Sequence, residues 1–302
     1  MGDLPFMVSR DSADVWANRD QFHTGRSVGV PPMHADEEGQ DWGFPAYHWD
    51  RMRADGFAWL RRRARYAGSL YDRFRIDHLV GFYRTYTRPA GARAGGKLPE
   101  GVFDPPAEDA QLEHGEAVLG AMIEAAAGSG ARIIAEDLGM VPPWIRASLT
   151  RLGVPGYKVL RWEKDGATFR DPADYPALSV ACFGTHNTDP VAAWWELLDD
   201  PERAALRALP ELAGREADLG PAFTPEVHRA LLDVIHGAGS ELTLLLIQDV
   251  LGERTRINMP GTLLPENWTY RLPGTPAELD RDPAARAAAE RVRESARATG
   301  RG

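Results

Sequence analysis

The sequence has a single cysteine, Cys182, among 302 residues. No internal disulfide can form from it, and no cysteine-based metal site can be built. Basic charge is also in short supply. Thirty-five Lys and Arg stand against 44 Asp and Glu, a net charge of −9. Nucleic acids and anionic membranes both require basic surface, so neither is an expected partner. No apolar run approaches the roughly 18–20 residues that span a bilayer. The opening MGDLPFMVSRDS lacks a basic stretch followed by an apolar core, so no signal peptide is expected. A reducing compartment, the cytoplasm, is the expected location. No low-complexity linker divides the chain, and no period of roughly 20–50 residues repeats.

The residues that are present describe a globular chain. It is 43% hydrophobic, and 9 Trp, 8 Tyr and 10 Phe supply ample material for a core. Short apolar runs bounded by turn residues read as buried strands near residues 3, 74, 131, 157, 179 and 242. Helical spacing predicts helices over 49–71, 108–127, 191–208, 225–237 and 275–298, and a short one from Pro142 to about 153. A long stretch over about 10–48, rich in Gly and Pro, reads as an irregular and functional loop. A second Pro/Gly-rich loop covers 89–106. Strands made of continuous apolar runs, alternating with helices, predict a parallel sheet covered on both faces. Six strands are counted, where a (β/α)₈ barrel has eight.

Three of these strands end in polar residues. In Arg75-Ile76-Asp77-His78, alternation puts Arg75 and Asp77 on one face. The arginine favours an ionised, oriented carboxylate, as a nucleophile requires. In Ala135-Glu136-Asp137, a carboxyl group at the mouth of an apolar strand suits a general acid. Thr185-His186-Asn187 follows the apolar SVACFG.

Each motif alone also has an ordinary reading. RIDH can be a strand-end ion pair, EDLG a turn or helix start, and THN a helix cap. Trp194-Trp195 reads as a helix face, His48 and His78 as structural residues, and Cys182 as core. Three polar strand ends on three separate strands favour a site, because parallel strands bring such ends to one face. Two carboxylates at adjacent strand ends can flank a glycosidic bond.

Longer motifs carry a resemblance. GDLPFMVSRDSADVWAN at 2–18, VGVPPMHADEEGQDWGFPAYHWD at 28–50, FRIDHLVGF, IIAEDLG, VPGYKVLRW, FGTHNTDP and RINMPGTLLPENWTYRL at 256–272 run in order along the chain. Together they closely resemble the amylomaltase family of 4-α-glucanotransferases over nearly the whole sequence.

The resemblance implies a (β/α)₈ TIM barrel of the α-amylase type. It also implies transfer of α-1,4-glucan segments between maltooligosaccharides. On the matching positions Asp77 is the expected nucleophile, Glu136 the acid/base, and Arg75 the residue that orients Asp77. His186 and Asn187 are expected to hold sugar hydroxyls, and Asp3 matches a carboxylate on the family's third strand. The loop around Gln40 and Trp42 is expected to line the acceptor side and to exclude water. No metal or organic cofactor is implied. Nothing in the sequence fixes an oligomeric state.

Two departures from the family pattern stand out. The family has Asp where this chain has Asn187. The family barrel also has two βα units before the DLPF strand, and the resemblance begins at that strand. The whole of 1–302 is therefore expected to be the C-terminal part of one catalytic barrel, with an active-site insertion at about 10–48. A weakly active or non-catalytic glucan-binding remnant is the alternative from another class, and an α-glucan hydrolase is a lesser one.

Overall fold

The structure, a computed structural model, describes residues 1–32, 37–91 and 97–301. The chain forms two units, Met1–Gly156 and Tyr157–Gly302. Along the first run β1 (Gly2–Leu4), α1 (Ala13–Ala17), β2 (Phe22–Val30), β3 (Gln40–Tyr47), α2 (Trp49–Ala54) and α3 (Ala58–Leu70). They are followed by β4 (Arg73–Ile76), β5 (Thr85–Pro89), β6 (Val102–Asp104), α4 (Glu108–Ala127), β7 (Arg132–Ala135) and α5 (Pro143–Arg151).

Three of these strands form a parallel sheet in the order β1-β4-β7. Asp3 lies opposite Arg75, Arg75 opposite Ile134, and Ile76 opposite Ala135. Phe74, Ile76, Ile133 and Ile134 are buried, as continuous apolar strands covered on two faces should be. α4 supplies much of the cover through buried Val118, Leu119 and Met122. Its range is the one expected from the sequence. Gly115 in α4 allows the fully buried Tyr83 ring to lie against the helix backbone, because a Cβ there would stand 2.0 Å from Cδ1 of that ring.

The other sheet of this unit is antiparallel, in the order β3-β2-β5-β6. The stretch over 10–48, expected to be irregular, therefore contains α1, β2 and β3; residues 33–36 of it lie outside the described residues. Its Gly and Pro residues are accommodated inside the strands. Gly29 passes so close to β3 that a Cβ would overlap the Gln40 carbonyl, and Pro45 pairs with Ser27 beside a break in register. The loop expected over 89–106 contains the short β6; residues 92–96 lie outside the described residues.

β8 (Gly156–Val159) starts at the last residue of the first unit, and the second unit holds the rest of it, the two-residue hairpin strands β9 (Lys164–Asp165) and β10 (Thr168–Phe169), and β11 (Ser179–Cys182). Helices α6 (Val191–Leu197), α7 (Asp200–Arg207) and α8 (Pro225–His236) follow. β12 (Leu242–Thr243), α9 (Ile247–Leu251), α10 (Pro276–Leu279) and α11 (Pro283–Ala298) complete it. Its main sheet has the order β12-β11-β8, and β11 and β12 are parallel. Trp195, Leu231 and Ile235 from α6 and α8 sit in its core, fully buried.

Six strands thus occupy the six expected places, as two three-stranded sheets, and the fold is α/β. Several elements are shorter or broken. The helix expected over 49–71 is interrupted by Gly56 and Phe57, both with positive φ (68° and 59°). The helix over 191–208 breaks at Leu198, and that over 275–298 after Leu279. The run Leu242–Leu251 is a strand for only two residues and then becomes α9.

Candidate active site

Asp77 and Glu136 are the residues that immediately follow β4 and β7. The main-chain ladder continues through both. The Asp77 N–H donates to the Leu4 carbonyl (3.0 Å), and the Glu136 N–H donates to the Ile76 carbonyl (3.0 Å). The parallel register that pairs Ile76 with Ala135 therefore places the two carboxylates as neighbours at the C-terminal end of the sheet.

Arg75, only 7% exposed, organises this end. Its Nη1 donates to both oxygens of Asp3, at 2.8 and 2.9 Å, and its Nη2 donates to Oδ1 of Asp77 at 2.7 Å. Asp3 and Asp77 remain about half exposed on their side chains, at 52% and 48%, so both carboxylates are anchored yet accessible. Burial alone would lower the arginine's pKa. The facing charges of Asp77 and Asp3 outweigh that and raise it, with Glu136 adding to the effect. The guanidinium is locked in its charged form.

Glu136 is held differently. Its Oε2 accepts the His78 N–H at 2.8 Å and its Oε1 the Leu138 N–H at 3.1 Å. Burial raises its pKa above the ordinary glutamate value. Arg75 and the two N–H donors pull it down, and the Asp77 charge pushes it up. One carboxylate is thus salt-bridged and open, and its neighbour is buried and inclined to hold a proton. The two neighbouring carboxyl groups stand in different environments.

Asp137, next in the chain, turns away and meets Arg146 at 3.5 Å. Its carboxylate presses on Gly156, where a Cβ would come within 2.5 Å of an oxygen.

Trp42 and His78 sit beside the pair. Their rings pack edge to face at 4.9 Å, and the Trp42 Nε1 donates to Oε1 of Gln40 at 2.9 Å. His78 takes a left-handed conformation (φ 43°), which points its N–H at Glu136. Burial lowers the His78 pKa to about 4, so its imidazole is neutral at neutral pH. The sequence reading took His78 as structural. A cavity of about 440 Å³ opens here, lined by Trp42, His78, Leu138 and Gly139 among others.

Asp3, Arg75, Asp77 and Glu136 are thus brought together, with Trp42 and Gln40 nearby in the same unit. His186 and Asn187 belong to the second unit, in the turn after β11. Gly184 makes that turn possible, since a Cβ there would collide with Thr188 Oγ1 at 2.1 Å. The Asn187 N–H donates to Thr185 Oγ1 at 3.2 Å. The Asn187 side-chain oxygen accepts from Asn258 Nδ2 at 2.7 Å, and its carbonyl accepts from Arg256. The Asn258 N–H donates to the His186 carbonyl at 3.2 Å, and the Trp268 ring lies 5.1 Å from the His186 ring. The sequence reading did not single out Asn258, although RINMPG carries it.

Among the described residues no group of three or more His, Cys, Asp or Glu is arranged to hold a metal ion. No helix among them is long and apolar enough to cross a membrane.

Paired carboxylates at the ends of parallel strands are an arrangement suited to glycosidic-bond chemistry by two carboxyl groups. The particular family follows from comparison. The family described as 4-alpha-glucanotransferase matches residues 1–277, and the chain belongs to it. A 4-alpha-glucanotransferase of Chlamydia pneumoniae is 34% identical over 291 residues, covering 92% of this chain and 52% of the relative. One from Thermus thermophilus is 34% identical over 301 residues, covering 95% and 56%. The amylomaltase of Streptococcus agalactiae, solved in complex with acarbose, superposes with a TM-score of 0.77 at 25% identity. It covers 100% of this chain and 57% of that one. The chain therefore spans about half the length of the curated relatives it matches.

Proposed function

We propose that this chain transfers α-1,4-glucan segments between maltooligosaccharides by a retaining mechanism. The observation that carries this reading is the Asp77–Glu136 pair. Neighbouring strands lie about 4.8 Å apart. A retaining pair needs its carboxyl groups at about 5–5.5 Å. In the first step Asp77 attacks the anomeric carbon, and the glycosidic bond breaks as Glu136 protonates the departing oxygen. A covalent glucosyl ester on Asp77 results. In the second step Glu136, now ionised, takes the proton from an acceptor hydroxyl, and that oxygen displaces Asp77. Arg75 holds and aims Asp77 through its Nη2. Asp3 is bound to the same guanidinium, and the family resemblance implies that His186 and Asn187 hold sugar hydroxyls. Gln40 and Trp42 line the acceptor side. No cofactor enters either step.

The six strands of the two three-stranded sheets are proposed as strands of a (β/α)₈ barrel of the α-amylase type. The acarbose bound by the Streptococcus agalactiae relative is in keeping with an α-glucan site. The lone cysteine, fully buried, suits a reducing compartment, and the cytoplasm is the proposed location. Incubation with maltotriose tests the activity. Transfer yields glucose together with maltooligosaccharides longer than the substrate. Glucose and maltose alone would indicate hydrolysis. Binding without products would make the chain a glucan-binding remnant. Asp77→Asn should remove all products and leave the unfolding midpoint within a few degrees of wild type.

A further inference from the structure

We propose that Arg84 and Phe103 form a subsite for the second glucose unit of the acceptor, so that maltose is a better acceptor than glucose. This rests on the reading that Asp77 and Glu136 carry out glucan transfer. The cavity of about 440 Å³ is of a size that holds small ligands. His78 and Leu138, whose N–H groups hold the Glu136 carboxylate, both line it. The acid/base serves the oxygen that joins donor to acceptor. A cavity built onto Glu136 is therefore an acceptor cavity.

Its wall has two stations. One is the Trp42–His78 ring pair, beside Glu136. The other is Arg84, whose guanidinium carbon lies 4.3 Å above the Phe103 ring. Tyr86 braces Phe103 edge to face at 5.2 Å. Most of the polar groups on this wall are committed. The Trp42 Nε1 is taken by Gln40, and the Tyr86 hydroxyl accepts the Gly101 N–H at 3.1 Å.

Arg84 is the one charged side chain on the described wall. Among the described residues its guanidinium forms no ion pair and no hydrogen bond to either catalytic carboxylate. Burial lowers its pKa, and Glu108 acts on it only as a charge at longer range. Apart from the neutral His78 ring beside Glu136, the remaining side chains of the described wall are apolar, glycine or proline. A planar guanidinium with five N–H donors matches the vicinal hydroxyls of a glucose ring. Held over Phe103, it loses little freedom when it binds.

The test uses calorimetric titration of the Asp77→Asn chain, which binds without turnover, with glucose and with maltose. Adding Arg84→Ala should weaken maltose binding roughly 10- to 100-fold, the range for losing hydrogen bonds from a charged donor. Glucose binding should move less than about twofold. In the active chain, the KM for maltose as acceptor should rise while kcat holds. Arg84→Lys should restore part of the loss. Arg84→Gln replaces the alanine variant if the latter lowers the unfolding midpoint. Equal weakening of both sugars, or no change in either, would overturn the subsite. If calorimetry shows the selective loss but the unaltered chain makes no transfer products, the transfer reading fails and the subsite stands.

Discussion

Arg75 is the residue on which the candidate site turns. A single guanidinium, nearly buried, donates to Asp3 and Asp77 and also lowers the pKa of Glu136. Its removal therefore has a signed consequence. In the proposed first step Glu136 is protonated, so kcat/KM should fall as pH rises through its pKa. Burial already holds that pKa above the usual glutamate value, and Arg75 opposes the effect. Arg75→Gln should shift the alkaline limb of the kcat/KM profile to higher pH and lower its plateau. An unmoved limb would show that Glu136 is not the titrating acid. Asn187 carries the second residue-scale prediction. Its side-chain oxygen accepts from Asn258, and an aspartate would keep that bond while adding a negative charge. On the reading that the family resemblance implies, such a charge would oppose the positive charge that develops on the sugar in the transition state. A group of this kind contributes about 3–4 kcal/mol, or ~10²–10³ in rate. Asn187→Asp should raise kcat toward that extent, measured by glucose release from maltotriose, and an unchanged kcat would refute the idea.

At the scale of elements, α4 is the piece that seats the parallel sheet. Gly115→Ala would drive a methyl into the buried Tyr83 ring, whose hydroxyl donates to Ser148 (2.8 Å), which in turn donates to Glu116 (2.6 Å). Overpacking of this kind costs about 1–3 kcal/mol. Chemical denaturation should show that loss, and a neutral result would mean the ring can step aside. The same helix was legible from sequence to the residue, because it is long, periodic and closed by Gly128 and Gly130. Elements decided by tertiary contact were harder to read. Gly29 and Pro45 looked like loop residues, yet they sit in β2 and β3, where a close strand approach and a register break need them. The run LTLLLIQDVL has no period that separates strand from helix. Buried Asp249, accepting from the Leu246 and Val191 N–H groups, starts α9 inside it.

For the whole molecule, the sequence located the strand ends better than the strands. Arg75, Asp77 and Glu136 were found because charge is costly at the end of an apolar strand, and Asp3 through the family resemblance; the structure joins the four in one hydrogen-bonded group with its neighbouring main chain. The roles of His78 and Leu138 were not legible, since they hold Glu136 through backbone N–H groups that no side-chain pattern reports. The ties of Asn258 to Asn187 and His186 span some 70 positions in sequence and needed coordinates. The account as a whole depends on Asp77 becoming covalently bound to the donor sugar. The most direct measurement is mass spectrometry of the Glu136→Gln chain incubated with α-maltosyl fluoride. Fluoride leaves without an acid catalyst, and the missing base slows release of the ester. The account predicts a maltosyl adduct on the peptide that contains Asp77. An adduct on another residue, or fluoride release with no adduct at any time, would contradict it.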